Sequence, residues 1–188
     1  NNINLGVTLS RVSTDNQLFP RSGSEFTASL HITPPWSVWQ KKDYANLATN
    51  PQSDTYNQEL QEKYRWIEYH KWKFKGRTFT ALTGGNKCLV LMTRFEFGLL
   101  GSFTANNKSP FETFYVGGDG ISGYSTGYAE ETIGLRGYEN GSLTPSYITN
   151  SDGTSRRGTG YAYDRLTLEL RYPFLLGNTT IYGLAFLE

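Results

Sequence analysis

At 188 residues the chain can form one domain or a substantial piece of a larger one, and 18 Lys and Arg against 17 Asp and Glu leave a formal charge of +1. That balance lacks the concentrated basic excess needed to bind phosphate backbones, so no nucleic-acid partner is expected. A single cysteine, Cys88, excludes an intrachain disulfide framework and a cysteine-rich zinc site.

No run of about 18 apolar residues is available to make a transmembrane helix. The mean hydropathy of −0.50 still permits a membrane barrel, because lipid-facing apolar residues alternate with lumen-facing polar ones and the average hides the pattern. The 13 Tyr, 11 Phe and 4 Trp would suit aromatic girdles at the membrane interfaces. The amino terminus has no basic region followed by an apolar segment, so no signal peptide is expected there. A first residue and a last residue that both sit at strands suggest an internal piece of a longer protein.

Period-2 alternation dominates and predicts six strands, over residues 3–12, 25–33, 64–82, 87–100, 161–172 and 179–188. In the first, Leu5, Val7 and Leu9 alternate with Gly6, Thr8 and Ser10. Asp15, Asn16, Pro20 and Gly23 then signal a turn. The second alternates Phe26, Ala28, Leu30 and Ile32 with Thr27, Ser29, His31 and Thr33, until Pro34 and Pro35 end it. A polar connection over 34–63 follows, with one helical turn expected between Asn57 and Lys63. The long third strand sets Trp66, Trp72 and Phe74 against Lys71, Lys73, Lys75 and Arg77, as one basic interior wall with a bulge would. After the turn at Gly84, Gly85 and Asn86, the fourth strand turns Leu89, Leu91, Phe95, Phe97 and Leu99 one way and Val90, Met92, Arg94 and Glu96 the other.

Residues 101–160 hold 12 of the 20 glycines and no sustained periodicity. So long a segment is usually functional or disordered, and its Phe111, Phe114, Tyr115, Leu135 and Tyr138 favour a packed functional loop. The fifth strand opposes Leu166, Leu168, Leu170 and Tyr172 to Arg165, Thr167, Glu169 and Arg171, and the sixth closes the chain.

Alternation with one apolar side is shared by a soluble β-sandwich and a transmembrane barrel, which differ only in whether that side turns inward. Strands near 9 to 11 residues, joined by tight turns at one end and two long loops at the other, favour an all-β fold: a segment of an antiparallel transmembrane barrel. The Gly-x-Gly-x-x-Gly run from Gly118 to Gly123 lacks the following helix that a dinucleotide site requires, so it reads as a loop. His31 and His70 have no ligand spacing, Cys88 no nucleophile context, and the sequons at Asn107, Asn140 and Asn178 arise readily in a Ser/Thr-rich chain. No catalytic group, cofactor or metal site is expected, and the chain does not read as an enzyme.

One constellation remains. Leu135, Arg136, Gly137 and Tyr138 form a turn in the glycine-rich loop. If that loop enters the barrel, Arg136 requires an ionised partner, because an unpaired buried charge is very costly; Glu188, Glu96 and Glu169 are available. Residue chemistry alone makes an exposed Arg136 in an external loop the simpler reading.

Phe114-Tyr115-Val116-Gly117-Gly118 followed by Leu135-Arg136-Gly137-Tyr138 resembles the "Tyr-x-Gly-Gly … Val-Arg-Gly-Phe/Tyr" signature of the sixth extracellular loop in BamA-type outer-membrane assembly barrels. The run from Ser13 to Gly23, with Phe19-Pro20-Arg21-Ser22-Gly23, resembles that family's "Asp-x-x-x-Phe-Pro-Thr-x-Gly" turn. Phe186-Leu187-Glu188 resembles the start of its "Phe-x-Asp-x-Gly" motif, with Glu in place of Asp. The three stand in the family's order over nearly the whole chain, and their wording is closest to the Bacteroidetes type.

The resemblance implies a sixteen-stranded barrel of which this chain holds strands eight to thirteen. It implies location in the bacterial outer membrane, nascent β-barrel clients, periplasmic POTRA domains in the same parent chain and accessory lipoproteins. It makes the long loop an inward-folding one, pairs Arg136 with Glu188 inside the barrel and gives Phe114, Tyr115, Gly117 and Gly118 to loop packing. An inward Glu188 would also turn Phe186, Leu184 and Tyr182 inward, leaving Gly183 and Ala185 to face lipid. Two-partner secretion transporters share the loop motif and are the alternative, distinguished by fewer POTRA domains; a passive porin should lack the motif, and a soluble sandwich would need no detergent.

Overall fold

The computed structural model describes residues 1–41, 43–104, 108–118, 131–145, 148–149, 155–156, 160–177 and 179–188. In chain order the strands are β1 (Leu5–Thr14), β2 (Gly23–Ile32), β3 (His70–Ala81), β4 (Val90–Gly101), β5 (Phe114–Val116), β6 (Glu131–Ile133), β7 (Ile148–Thr149), β8 (Ser155–Arg156), β9 (Ala162–Leu175) and β10 (Ile181–Leu187). Helices α1 (Trp36–Gln40) and α2 (Tyr56–Lys63), with a 3-10 turn at Tyr44–Asn46, lie in the connection between β2 and β3. Six strands form one sheet in the order β1-β2-β3-β4-β9-β10, so each neighbour in the sheet is the next long strand in the chain. β5 and β6 pair in parallel, and β7 pairs with β8 antiparallel, as two small separate ladders.

The sheet's two faces have opposite chemistry, and their exposure decides which kind of fold it is. On β9, Leu166 and Phe174 are each 58% exposed, whereas Thr167 is 0% and Glu169 4% exposed. On β3 and β4 the apolar Trp72, Phe74, Phe97 and Leu99 are likewise exposed; on the polar phase Lys71 is buried and Arg94 and Glu96 are half-buried, while Lys75 and Arg77 are exposed. A soluble sandwich would bury the leucines and phenylalanines and wet the charges. A sheet that shelters its Arg, Glu and Thr phase and displays its Leu, Phe and Trp phase is a transmembrane barrel wall, whose apolar face meets lipid. The fold is therefore the all-β barrel segment that strand length and loop placement favour, and the sandwich alternative is discarded.

The apolar face has its own packing. Phe74 stacks on Phe95 with centroids 5.5 Å apart, and Phe26 joins them at 6.4 and 6.1 Å. Gly76 leaves room for this group, since a Cβ there would stand 2.2 Å from the Phe95 ring. An aromatic lying across a strand glycine covers backbone that would otherwise be bare.

The expected third strand over 64–82 begins at His70. Residues 64–69 are taken up by tertiary packing: Trp66 packs at a tilt against Trp36 with ring centroids 4.6 Å apart, and Glu68 accepts hydrogen bonds from the amide and hydroxyl of Ser37. Thr33 and Tyr69 close the connection, the Thr33 amide donating to the Tyr69 carbonyl and the Tyr69 amide to the Thr33 hydroxyl. Trp66 shares the phase of Trp72 without belonging to the ladder, which is why alternation alone ran the strand too far.

The chain divides into two compact units. One comprises Asn1–Val7, Leu30–Trp72 and Leu99–Ala162; the other comprises Thr8–Ser29, Lys73–Gly98 and Tyr163–Glu188. The second has the apolar core, in which Phe19, Phe79, Cys88, Val90 and Met92 pack together with Tyr182 against them. Antiparallel pairing sets Leu184 opposite Arg171 and Phe186 opposite Glu169, with an irregularity between Ile181 and Tyr182. Directly paired residues share a face, so Leu184 and Phe186 stand on the polar side, as expected if Glu188 points inward.

Candidate functional site

The glycine-rich loop is built on a short parallel ladder. Phe114, Tyr115 and Val116 pair with Glu131, Thr132 and Ile133. The ladder is extended by the Gly117 amide donating to the Ile133 carbonyl at 3.0 Å and the Leu135 amide donating to the Gly118 carbonyl at 2.8 Å. Phe114, Tyr115 and Ile133 are buried, as a packed loop requires. The segment after Leu135 returns over this ladder: the Tyr115 hydroxyl donates to the Asn140 carbonyl at 3.0 Å, and the Val116 amide donates to the Thr144 hydroxyl at 2.8 Å. Gly117 is required by this return. Its φ is +120°, and a Cβ would stand 2.5 Å from the Glu139 carbonyl oxygen.

Lys71 anchors the ladder to the β3 wall. Its ammonium, 4% exposed as a residue, lies 2.9 Å from Glu131, 3.4 Å from Glu112 and 4.9 Å from the Phe114 ring centroid. Two carboxylates and an aromatic face thus satisfy one buried cation, which is the condition under which burying it is tolerable. Both acids come from the loop and the cation from the wall, so the pairing holds the loop against the polar face of β3.

Gly118 (φ +89°) and Gly137 (φ +86°) flank the turn-forming part of the motif. Leu135 is half-buried, and Arg136, Gly137 and Tyr138 are exposed at the tip of the turn. The three carboxylates proposed as partners of Arg136 all lie in the second unit, on the polar face. Glu188, its side chain 2% exposed, accepts hydrogen bonds from Arg165 at 2.7 Å and from Thr167 at 3.3 Å. Glu96 is 4.0 Å from the same Arg165, and Glu169 pairs with Arg171 at 2.6 Å. The guanidinium of Arg171 also lies 5.6 Å from the Phe79 ring centroid and 5.7 Å from that of Tyr182.

Sequence reasoning named Glu188, Glu96 and Glu169 but passed over Arg165 and Arg171 as their cations, and it named neither Glu112 nor Glu131 for Lys71. The signal was present for Arg165 and Arg171, which sit on the polar phase beside the carboxylates; what alternation lacks is the register that says which charge meets which. The Gly-x-Gly-x-x-Gly run lies outside the described residues from Asp119 onward, as do Asn107 and Asn178.

The turn between β1 and β2 is held by its own side chains. Asp15 accepts from the amides of Arg21 and Ser22 at 2.8 and 3.2 Å and from the Arg21 guanidinium at 3.3 Å. Asn16 accepts from the amides of Leu18 and Phe19, which directs the buried Phe19 ring into the apolar core, 5.5 Å from Tyr182. Burial pulls the Asp15 carboxyl upward, but the two amides and the guanidinium outweigh it and hold the group below its ordinary value.

The model for the Omp85 superfamily domain covers residues 1–188. The chain belongs to the Omp85 superfamily. Comparison with curated proteins gives no match. Omp85 proteins are bacterial outer-membrane proteins, and the superfamily includes both insertases of the BamA kind and two-partner secretion translocators. In this Omp85 domain the polar phase of β3, β4 and β9 is accordingly the lumen face.

Proposed function

We propose that this Omp85 domain is part of the barrel of an outer-membrane insertase of BamA type, closest to the Bacteroidetes form, that assembles β-barrel proteins into the bacterial outer membrane. The action is mechanical and not enzymatic: a weakly closed seam offers a free strand edge, and edge pairing templates the incoming barrel. The segment's contribution is a lipid-facing wall and a loop that braces the lumen. Nascent barrel proteins are its clients, with POTRA domains in the parent chain and accessory lipoproteins as partners. The observation that carries the reading is the Lys71 anchor, which ties Glu112 and Glu131 of the motif-bearing loop to the lumen face. The resemblance adds the pairing of Arg136 with Glu188 as a second brace.

Depletion of the parent protein in its native bacterium, followed by heat-modifiability of the resident outer-membrane barrels, tests the proposal. An insertase leaves those barrels unfolded across many families. Loss of a single secreted protein with the barrels intact would overturn the reading in favour of a two-partner secretion translocator.

A further inference from the structure

A cavity of about 320 Å³ opens on the lumen face of β2, β3 and β4, lined by Glu25, Thr27, Lys75, Gly76, Arg77, Arg94 and Glu96. Its charges are unequally committed. Arg77 is ion-paired with Glu25, and Glu96 stands 4.0 Å from Arg165, which already holds Glu188 at 2.7 Å. Lys75 and Arg94 remain, and among the described residues neither makes a hydrogen bond or an ion pair. Arg94 is half-buried, and its charged neighbours are the cations Arg165 and Arg77 and the carboxylates Glu96 and Glu169. Like charges gathered on one wall repel unless something neutralises them, most strongly at the half-buried Arg94. The ammonium of Lys75 supplies three donors and the guanidinium of Arg94 five, none of them matched by an acceptor from the wall.

We propose that this cavity binds a phosphate-type oxyanion, with Arg94 as the planar, bidentate donor and Lys75 as the second cation. A phosphate group has the acceptors that the two cations need, and Arg fits such a group bidentately. The Thr27 hydroxyl, on β2, lines the same cavity and shares a hydrogen bond with Ser10 at 2.7 Å. With Arg77 paired to Glu25 and Arg165 to Glu188, the Glu96 carboxylate stands against Arg94 and Lys75, and the lining keeps one positive charge in excess. The site is independent of whether the barrel inserts or secretes proteins. A free phosphate and the phosphate of a lipid headgroup present the same chemistry to it.

The test is calorimetric titration of the intact outer-membrane protein, purified in a phosphate-free detergent, with inorganic phosphate and, separately, with a short-chain phosphatidic acid. Saturable binding of inorganic phosphate identifies a free oxyanion as sufficient; saturable binding of the phosphatidic acid alone identifies a headgroup. In either case Arg94→Gln and Lys75→Gln should each weaken binding about tenfold or more, the effect of losing a charge-assisted hydrogen bond. Lys87→Gln, outside the cavity, should leave it unchanged. Lys75 is exposed, so Lys75→Gln keeps the test valid should Arg94→Gln fail to show the heat-modifiable gel shift of a folded barrel. Absence of binding by either probe, or equal affinity in wild type and Lys75→Gln, would overturn the proposal.

Discussion

The ammonium of Lys71 and the carboxylate of Glu131 lie 2.9 Å apart, a wall residue of β3 bonded to the strand that forms the base of the loop motif. The pair is unequal in exposure. The Lys71 side chain is 5% exposed and that of Glu131 25%, with Glu112 similar at 24%. Removing the cation therefore leaves two partly solvated acids side by side, whereas removing one acid leaves the cation with the other.

From that asymmetry, Lys71→Met should loosen the loop more than Glu112→Gln or Glu131→Gln alone. Solvation of the acids reduces the cost below that of a fully buried pair, to about 1 to 3 kcal/mol. Limited proteolysis of the intact protein checks it: Lys71→Met should speed cleavage within residues 101–160 while the heat-modifiable shift of the barrel persists. Cleavage at the wild-type rate would show that the ladder of β5 and β6 stays docked without its cation.

The turn between β1 and β2 should be sensitive to acid. The Asp15 carboxyl is held below its ordinary value of 3.8, so its stabilising contribution is complete above that value and is lost as pH falls through the lower, folded one. Asp15→Asn should remove this acid dependence and lower stability at neutral pH, by under about 1 kcal/mol because the group is well solvated. Urea titrations at pH 3 and pH 7 of both proteins test this, the difference between them being smaller in the variant. Gly23→Ala is the companion experiment. At φ +110° its Cβ would stand 1.9 Å from the Ser13 carbonyl oxygen, and a loss of about 1 to 3 kcal/mol is expected at either pH.

The two faces of β9 should respond in opposite ways to polarity. Leu170 is exposed on the apolar face, and Leu170→Lys places a charge toward lipid at a cost of about 2 to 4 kcal/mol if it lies near the bilayer midplane. Thr167→Val on the lumen face removes one donor to Glu188 and keeps the side-chain volume, so its effect should be smaller. Folding yield into lipid vesicles, read as the heat-modifiable fraction, separates them. Equal losses from both would contradict the assignment of the faces.

These faces were legible in the sequence because a strand's side-chain period is two and composition follows it residue by residue. Leu166 to Tyr172 against Arg165 to Arg171 needs no structure to be sorted, and exposure adds only which side is wet. The opening of β3 was not legible, because Trp66 keeps the right phase for a reason that lies in Trp36, thirty residues earlier. The loop's anchor was half legible: Lys71 stood on the basic phase, but Glu112 and Glu131 fall in a segment without periodicity, where only the folded ladder brings them together. Cation and acid assignments within the lumen depend on strand register in the same way, which is how Arg165 went unnoticed as the partner of Glu188.

Glu188 gives the sharpest test of the proposed second brace. Its side chain is 2% exposed and receives Arg165 at 2.7 Å, so Arg165→Met should orphan a buried carboxylate, at about 3 to 5 kcal/mol, unless another cation serves it. The proposal names Arg136 as that cation. If Glu188 is shared, each single change, Arg136→Ala or Arg165→Met, leaves one cation in place and costs less than that figure. The double variant then costs more than the sum of the two, and Glu188→Gln in the double-variant background restores part of the loss by removing the orphaned charge. If Glu188 is served by Arg165 alone, Arg165→Met costs the full amount, Arg136→Ala costs little, and the two effects add. Thermal stability of wild type and the four variants in one detergent distinguishes the outcomes, and additivity would remove Arg136 from the lumen brace while leaving the Lys71 anchor untouched.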